Sequence, residues 1–172
     1  RGLGDVYKRQ VADIKLLSDE SAEKYSGRVD LCIDHHGSNT EYAKEFCVDS
    51  TAAACAEILC PLADELGVGI TPAIANCLYT GISTDTGCFK FSNTTSNTHR
   101  TAAALIEAGA DVYPINKLFF DTKSFSRLRM EAKLTETMEF YADGTVGVCV
   151  MPKRLLAEFS ATEDDLDSIS GF

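Results

Sequence analysis

The side chains best suited to chemistry stand at the end of a short apolar run. The run from Val29 reads V-D-L-C-I-D, and its last residue, Asp34, is followed by His35 and His36. In open parallel sheets, ligands bind in the crevice outside the strand ends, so all three are candidate site residues. Neighbouring side chains on extended backbone point in opposite directions. This predicts that one histidine ligates a metal and the other faces substrate, while the adjacent carboxylate fixes the ligand's tautomer. An Asp-His pair that only caps a loop is the alternative.

A second polar group follows in the segment 81–87, which reads G-I-S-T-D-T-G. Its carboxylate, Asp85, stands among glycines and small hydroxyl residues, and glycine lets backbone approach a ligand closely. An N-cap or Asx-turn role for Asp85 is the alternative. The residues between Asp34 and Asp85 have room for two helices and a strand, so Asp85 can return to the same sheet edge.

The elements that must position these residues alternate between strand and helix. Ser50 or Thr51 is expected to cap a helix that stops at Gly67 and is kinked or divided by Pro61. Further helices are predicted from Thr71 and Pro72 into the second polar segment, from His99 to Gly109, and from near Pro114 to Asp121. The alternation favours an α/β fold, a parallel sheet with helices on both faces.

The remaining chain is predicted to form a linker helix over 124–140 and a strand, T-V-G-V-C-V-M, after Asp143 and Gly144. Residues 141–172 are too few to bury a core alone, so they are expected to be the truncated start of a second α/β domain. The first ten residues do not resemble the acidic chain that follows, and they are interpreted as a sequencing or cloning scar.

Composition limits the kinds of partner. Sixteen Lys and Arg against twenty-six Asp and Glu give a formal charge of -10, so no basic surface neutralises phosphates and an anionic substrate needs a metal. No run of eighteen apolar residues and no apolar N-terminal stretch occurs, which predicts a cytoplasmic protein with no membrane insertion. Seven cysteines without a C-x-x-C pair argue against a disulfide framework or a zinc knuckle.

Taken together, I-D-H-H-G-S-N and G-I-S-T-D-T-G-C-F-K-F-S-N-T resemble the DHH phosphoesterase family. Within that family, the form of the motifs is most similar to the bifunctional oligoribonucleases that also dephosphorylate adenosine 3′,5′-bisphosphate. The resemblance covers roughly Val11 to Phe172. It implies a DHH domain over 11–123 that carries two manganese ions, and a smaller DHH-associated domain that holds substrate.

The resemblance also implies a role for each motif residue. His35 and Asp85 would be ligands to one manganese ion, Asp34 the orienting acid, and His36 a contact to the scissile phosphate. Asn93 would shape the loop behind Asp85 and contribute to substrate binding. Such a centre activates water and neutralises phosphate oxygens during in-line displacement.

The function implied is manganese-dependent hydrolysis of short RNA from its 3′ end and of adenosine 3′,5′-bisphosphate. Alternatives are a cyclic-dinucleotide phosphodiesterase or a polyphosphate or pyrophosphate hydrolase of the same superfamily, and, in another class, a non-catalytic nucleotide-binding module. The expected partner is the short RNA or nucleotide bisphosphate substrate. Whether the chain forms a homodimer is left open.

Three departures from the family pattern lead us to expect an internal fragment. The aspartate-rich first motif would precede residue 1, Gln10 stands where a metal-bridging aspartate belongs, and the C-terminal substrate motif would lie beyond Phe172. The chain as given is therefore expected to be catalytically inert or nearly so.

Overall fold

The structure, a computed structural model, describes residues 23–161. Among these, residues 23–121 belong to one compact unit and residues 122–161 to a second. The interpreted scar over 1–10, Gln10 and the C-terminal segment 162–172 lie outside the described residues. No helix within the described part of the chain is long and apolar enough to cross a membrane.

The first unit contains a two-stranded parallel sheet. β1 (Leu31–Asp34) pairs with β2 (Glu45–Val48) from Leu31 opposite Glu45 to Asp34 opposite Val48. Parallel strands usually need a connection of a dozen or more residues, most often a helix. Here the shorter segment 35–44 makes the connection, and it includes both histidines. β1 confirms the predicted strand, whereas β2 was not predicted.

Among the described residues, four helices follow β2 in the first unit: α1 (Cys55–Glu65), α2 (Pro72–Asp85), α3 (Ser96–Glu107) and α4 (Val112–Asn116). A π-helical turn, Lys117–Asp121, follows α4. The core lies where α1, α2 and α3 pack together, and its buried members are Ala54, Ala56, Ala75, Leu78, Tyr79, Ile82, Ala102, Leu105 and Ala110. Burying a Leu or Ile side chain stabilises a fold by about 1.5 to 3 kcal/mol. This core fixes the C-terminal end of α2, which carries Asp85.

The start of α2 confirms the capping prediction. The Thr71 hydroxyl accepts a hydrogen bond from the amide of Ile74 at 3.3 Å, and Pro72 occupies the first helical turn. Proline fits there because its missing N–H has no helical partner to lose. α3 starts earlier than predicted, since Thr95 caps it by accepting from the amides of residues 97 and 98.

The start of α1 differs from the prediction. The helix begins at Cys55 after Ala54, which provides no side-chain cap, so the expected capping by Ser50 or Thr51 is wrong. The Thr51 hydroxyl is instead used locally, donating to Asp49 Oδ1 at 2.7 Å. Pro61 lies inside α1 without dividing it.

The second unit is also built from helices and strands. α5 (Phe125–Thr137) is capped by Ser124 and ends three residues before the predicted limit of the linker helix. The backbone turns extended at Met138, and Glu139–Tyr141 forms β3. β3 pairs antiparallel with β4 (Val146–Val148), which lies in the predicted strand, and α6 (Lys153–Phe159) follows. Together with the parallel pair of β1 and β2 in the first unit, these elements confirm the predicted α/β fold with a parallel sheet.

Candidate functional site

The two histidines lie side by side just beyond the end of β1. Their ring centroids are 4.3 Å apart, with the ring planes tilted by 53°. The prediction that they point in opposite directions is wrong, because that alternation holds only within a strand and β1 ends at Asp34. One ligand atom from each of Asp34, His35 and His36 can be chosen so that all lie within 4.8 Å of one another.

Asp34 orients His36 and the backbone of both histidines. Its Oδ1 accepts from the amide of His35 at 2.7 Å, from the amide of His36 at 3.2 Å and from His36 Nδ1 at 2.7 Å. Its Oδ2 accepts from Asn39 Nδ2 at 2.7 Å. Burial raises the pKa of Asp34, but the hydrogen bonds from Asn39 and His36 outweigh it and leave the pKa below its ordinary value. The buried carboxylate is thus an ionised acceptor.

His35 is oriented by backbone rather than by the neighbouring carboxylate. His35 Nδ1 lies 3.3 Å from the carbonyl oxygen of Ala52, and a carbonyl can only accept, so Nδ1 carries the proton. Nε2 then presents a lone pair. The expectation that Asp34 fixes the tautomer of the metal-ligating histidine is corrected: Asp34 fixes His36, and Ala52 fixes His35. A carbonyl partner of this kind is common for metal-ligating histidines.

Asp85 is the last residue of α2, and its side chain reaches His35. Asp85 Oδ2 lies 3.4 Å from His35 Nε2, so the two motifs meet as their order and spacing predicted. The N-cap alternative for Asp85 is wrong. Partial burial raises the pKa of Asp85 above its ordinary value, and the nearby His35 and His36 lower it only in part. The side chain is still 37% exposed, so solvent can reach the carboxylate.

The contact between His35 and Asp85 joins two electron-pair donors. When the ring is neutral with its proton on Nδ1 and Asp85 is ionised, neither atom supplies a hydrogen, so they attract only when a proton or a cation lies between them. Two ligand atoms that each lie about 2.0 to 2.2 Å from the same ion, at neighbouring coordination positions, are roughly 3 to 4 Å from each other. The observed 3.4 Å fits a shared divalent ion.

Asn93 lies behind Asp85. Its Nδ2 donates to the carbonyl oxygens of Ala53 and Asp85, each at 3.1 Å. The predicted role in shaping the loop behind Asp85 agrees with this geometry. Both amide hydrogens are used inside the chain, and the role in substrate binding stays a prediction.

Sequence reasoning missed two groups that orient the site. Asn39 was part of the first motif but received no role, although its amide holds Asp34. Ala52 acts through its carbonyl oxygen, so its side chain gave no signal. Only Asn39 could have been found from the sequence, because it lies within the first motif.

The turn after Asp85 has an unusual backbone. Gly87, Cys88 and Phe89 have φ of 56°, 58° and 64°, and the left-handed region is costly for residues other than glycine. A Cβ on Gly87 would lie 2.4 Å from the Phe91 ring. Glycine is therefore required at this position by both the turn and the ring that packs on it.

No protein-family model matches the chain. The chain is 36% identical over 140 residues to the bifunctional oligoribonuclease and PAP phosphatase NrnA of Thermus thermophilus, a match that covers 81% of this chain and 41% of that protein. It is 26% identical over 149 residues to NrnA of Bacillus subtilis, covering 85% and 47%.

The crystal structure of an exopolyphosphatase-related protein from Bacteroides fragilis has a similar fold, with a TM-score of 0.78 at 24% identity. That match covers 88% of this chain and 46% of the other. The chain thus spans less than half the length of each of these three proteins. By its sequence, this chain is similar to the bifunctional oligoribonuclease and PAP phosphatase proteins, and its two motifs resemble those of the DHH phosphoesterase family.

Proposed function

We propose that a protein of the relatives' length that carries these residues is a manganese-dependent phosphoester hydrolase. It would degrade short oligoribonucleotides from the 3′ end and dephosphorylate adenosine 3′,5′-bisphosphate. The names of the relatives from Thermus thermophilus and Bacillus subtilis support this substrate class. The observation that carries the proposal is the 3.4 Å distance between His35 Nε2 and Asp85 Oδ2, two atoms that can each ligate a metal ion.

His35 and Asp85 would hold the divalent ion. Mixed imidazole and carboxylate donors suit manganese. When bound, such an ion supplies positive charge that activates a water molecule and neutralises phosphate oxygens. This charge matters in a chain with a formal net charge of -10, since the protein as a whole repels phosphate.

His36 is proposed to contact the scissile phosphate. Its Nδ1 donates to Asp34 at 2.7 Å, which fixes the orientation of the ring. As an imidazolium, the ring donates from Nδ1 to Asp34 and from Nε2 to a phosphate oxygen. The Asp34–His36 pair thus provides an oriented donor beside the proposed ion.

Metal binding is the test on the 172-residue chain. Mn²⁺ titration followed by electron paramagnetic resonance measures the affinity of the wild type and of His35→Ala and Asp85→Ala. Both variants are expected to lose more than about 100-fold in affinity, since losing a ligand costs more than losing its supporting partner. Asp49→Asn changes an exposed carboxylate next to β2 and is the control. Equal affinity in all four proteins would refute the assignment of the ligands.

Activity is tested at the length of the relatives. Hydrolysis of a dinucleotide and of adenosine 3′,5′-bisphosphate is measured with added Mn²⁺, with EDTA, and with His35→Ala. Full turnover in EDTA would refute metal catalysis. A preference for cyclic di-AMP or polyphosphate would move the substrate assignment to that class, and tight nucleotide binding without turnover would favour a binding module.

A further inference from the structure

The side-chain amide of Asn93 connects the two halves of the proposed metal pair. One of its hydrogens goes to the carbonyl of Ala53, forty positions earlier, and the other goes to the carbonyl of Asp85. Ala53 is 1% exposed, so water cannot replace this donor without rearrangement. A single NH₂ group therefore ties the segment that follows β2 to the end of α2.

The same segment holds His35. The carbonyl of Ala52 accepts from His35 Nδ1, and the next carbonyl along the chain, that of Ala53, accepts from Asn93. A shift of this segment relative to Asp85 would move the His35 ring with it. The contact between His35 Nε2 and Asp85 Oδ2 is thus set through Asn93.

The turn between Asp85 and Asn93 is strained, and backbone hydrogen bonds to Ser83 and Thr86 hold it together with the side chain of Asn93. Three consecutive residues, 87–89, have positive φ, and two of them are not glycine. Left-handed backbone is strained in such residues, so it persists only where surrounding contacts hold it. Asn93 closes this strained turn back onto the carbonyl of Asp85.

We propose that Asn93 is a positioning residue that sets the separation of His35 and Asp85, and thereby the affinity of the site for a divalent cation. The part concerning the cation rests on the proposed function. Asn93 does not touch substrate in this role, because both of its amide hydrogens are used inside the chain.

The first test needs no metal. Long-range ¹H–¹⁵N NMR of the chain at about pH 8, where histidine is ordinarily neutral, reports the tautomer of each ring. The chain has three histidines, so His35→Ala assigns the signal. Wild-type His35 is expected to be protonated at Nδ1. In Asn93→Ala it should become a mixture of tautomers, because the Ala52 carbonyl is no longer held in place.

The second test measures Mn²⁺ affinity. Loss of a residue that supports a metal ligand typically costs 10- to 100-fold in affinity, and this is the loss expected for Asn93→Ala. Asn93→Gln keeps an NH₂ group and should recover part of it. The matched control is Asn97→Ala, which removes a 3.1 Å hydrogen bond to Glu57 in the same unit. Its His35 signal and Mn²⁺ affinity should be unchanged.

The outcomes separate the two proposals. A wild-type His35 signal in both Asn93→Ala and Asn93→Gln would overturn the positioning role, whatever the metal result. Wild-type Mn²⁺ affinity in Asn93→Ala would overturn it as well. If the wild-type chain binds no Mn²⁺, the proposal that His35 and Asp85 hold the ion in this chain fails, and the metal-free spectra still decide whether Asn93 positions His35.

Discussion

Replacing Asp34 with Asn keeps the shape of the side chain and removes its charge. The carboxylate accepts four hydrogen bonds: three at Oδ1, from the amides of His35 and His36 and from the His36 ring, and one at Oδ2 from Asn39. The variant has one oxygen and one NH₂ group. If the oxygen faces the histidines, the new NH₂ meets the NH₂ of Asn39, and in the opposite orientation it meets three donors.

The first orientation loses fewer hydrogen bonds, so we expect the variant to adopt it. A hydrogen bond to a charged acceptor contributes about 1.5 to 3 kcal/mol and a neutral one about 1 kcal/mol. The variant loses the bond from Asn39 and weakens the three that remain, while relief from burying a charge offsets part of the loss. We expect Asp34→Asn to lower the free energy of unfolding of its unit by about 2 to 3 kcal/mol.

Urea unfolding followed by circular dichroism measures the overall loss, and amide hydrogen exchange at His35 and His36 measures it locally. Both amides should exchange faster, since each donates to Asp34. The control is Asp49→Asn, whose exposed carboxylate accepts from the amide and hydroxyl of Thr51, and its effect should be smaller. An Asp34→Asn variant within about 0.5 kcal/mol of wild type, the range of ordinary surface changes, would refute this reasoning.

Two further predictions concern other parts of the chain. Burial raises the pKa of Glu131, but hydrogen bonds from Lys123 and Arg127 outweigh it and the pKa is lowered. Stability from Glu131 should therefore be complete above its unfolded pKa of about 4.3 and be lost as pH falls through the lowered folded value. Acid titration should show this loss in wild type and not in Glu131→Gln. Gly87→Ala should cost at least about 1 to 2 kcal/mol in urea unfolding. Adding Phe91→Ala should recover part of it, and strictly additive losses would contradict the contact between them.

The parts of the fold with specific local chemistry were predictable. Thr71 and Pro72 mark the start of α2 because a hydroxyl cap and a first-turn proline act locally. β2 could not be predicted, since all four of its residues are exposed and no alternation of apolar and polar residues marks it. The start of α1 was missed because the Thr51 hydroxyl bonds to Asp49 instead of a helix amide.

The approach of His35 to Asp85 was predictable from the sequence, but the hydrogen bonds that orient the two histidines were not. The order and spacing of the motifs indicated that His35 and Asp85 meet, and they do. As predicted, α2 runs into the polar segment 81–87; it ends at Asp85, and the hydroxyl of Thr84 bonds back to the carbonyl of Thr80. Which acceptor holds which histidine depends on where β1 ends and on a backbone carbonyl, neither of which side-chain identity reveals.

The connection over 35–44 has a consequence for sequence change. Surface loops ordinarily tolerate insertions and deletions because only their ends are fixed. This connection is fixed at both ends by the pairing of β1 with β2, and its own first residues carry the oriented imidazoles. The chain could accommodate an inserted residue only after Asn39. An insertion before that point would separate Asp34 from amide groups that donate hydrogen bonds to it. Length variation among homologous sequences should therefore be confined to 40–44, and libraries built on this scaffold should leave 34–39 at constant length.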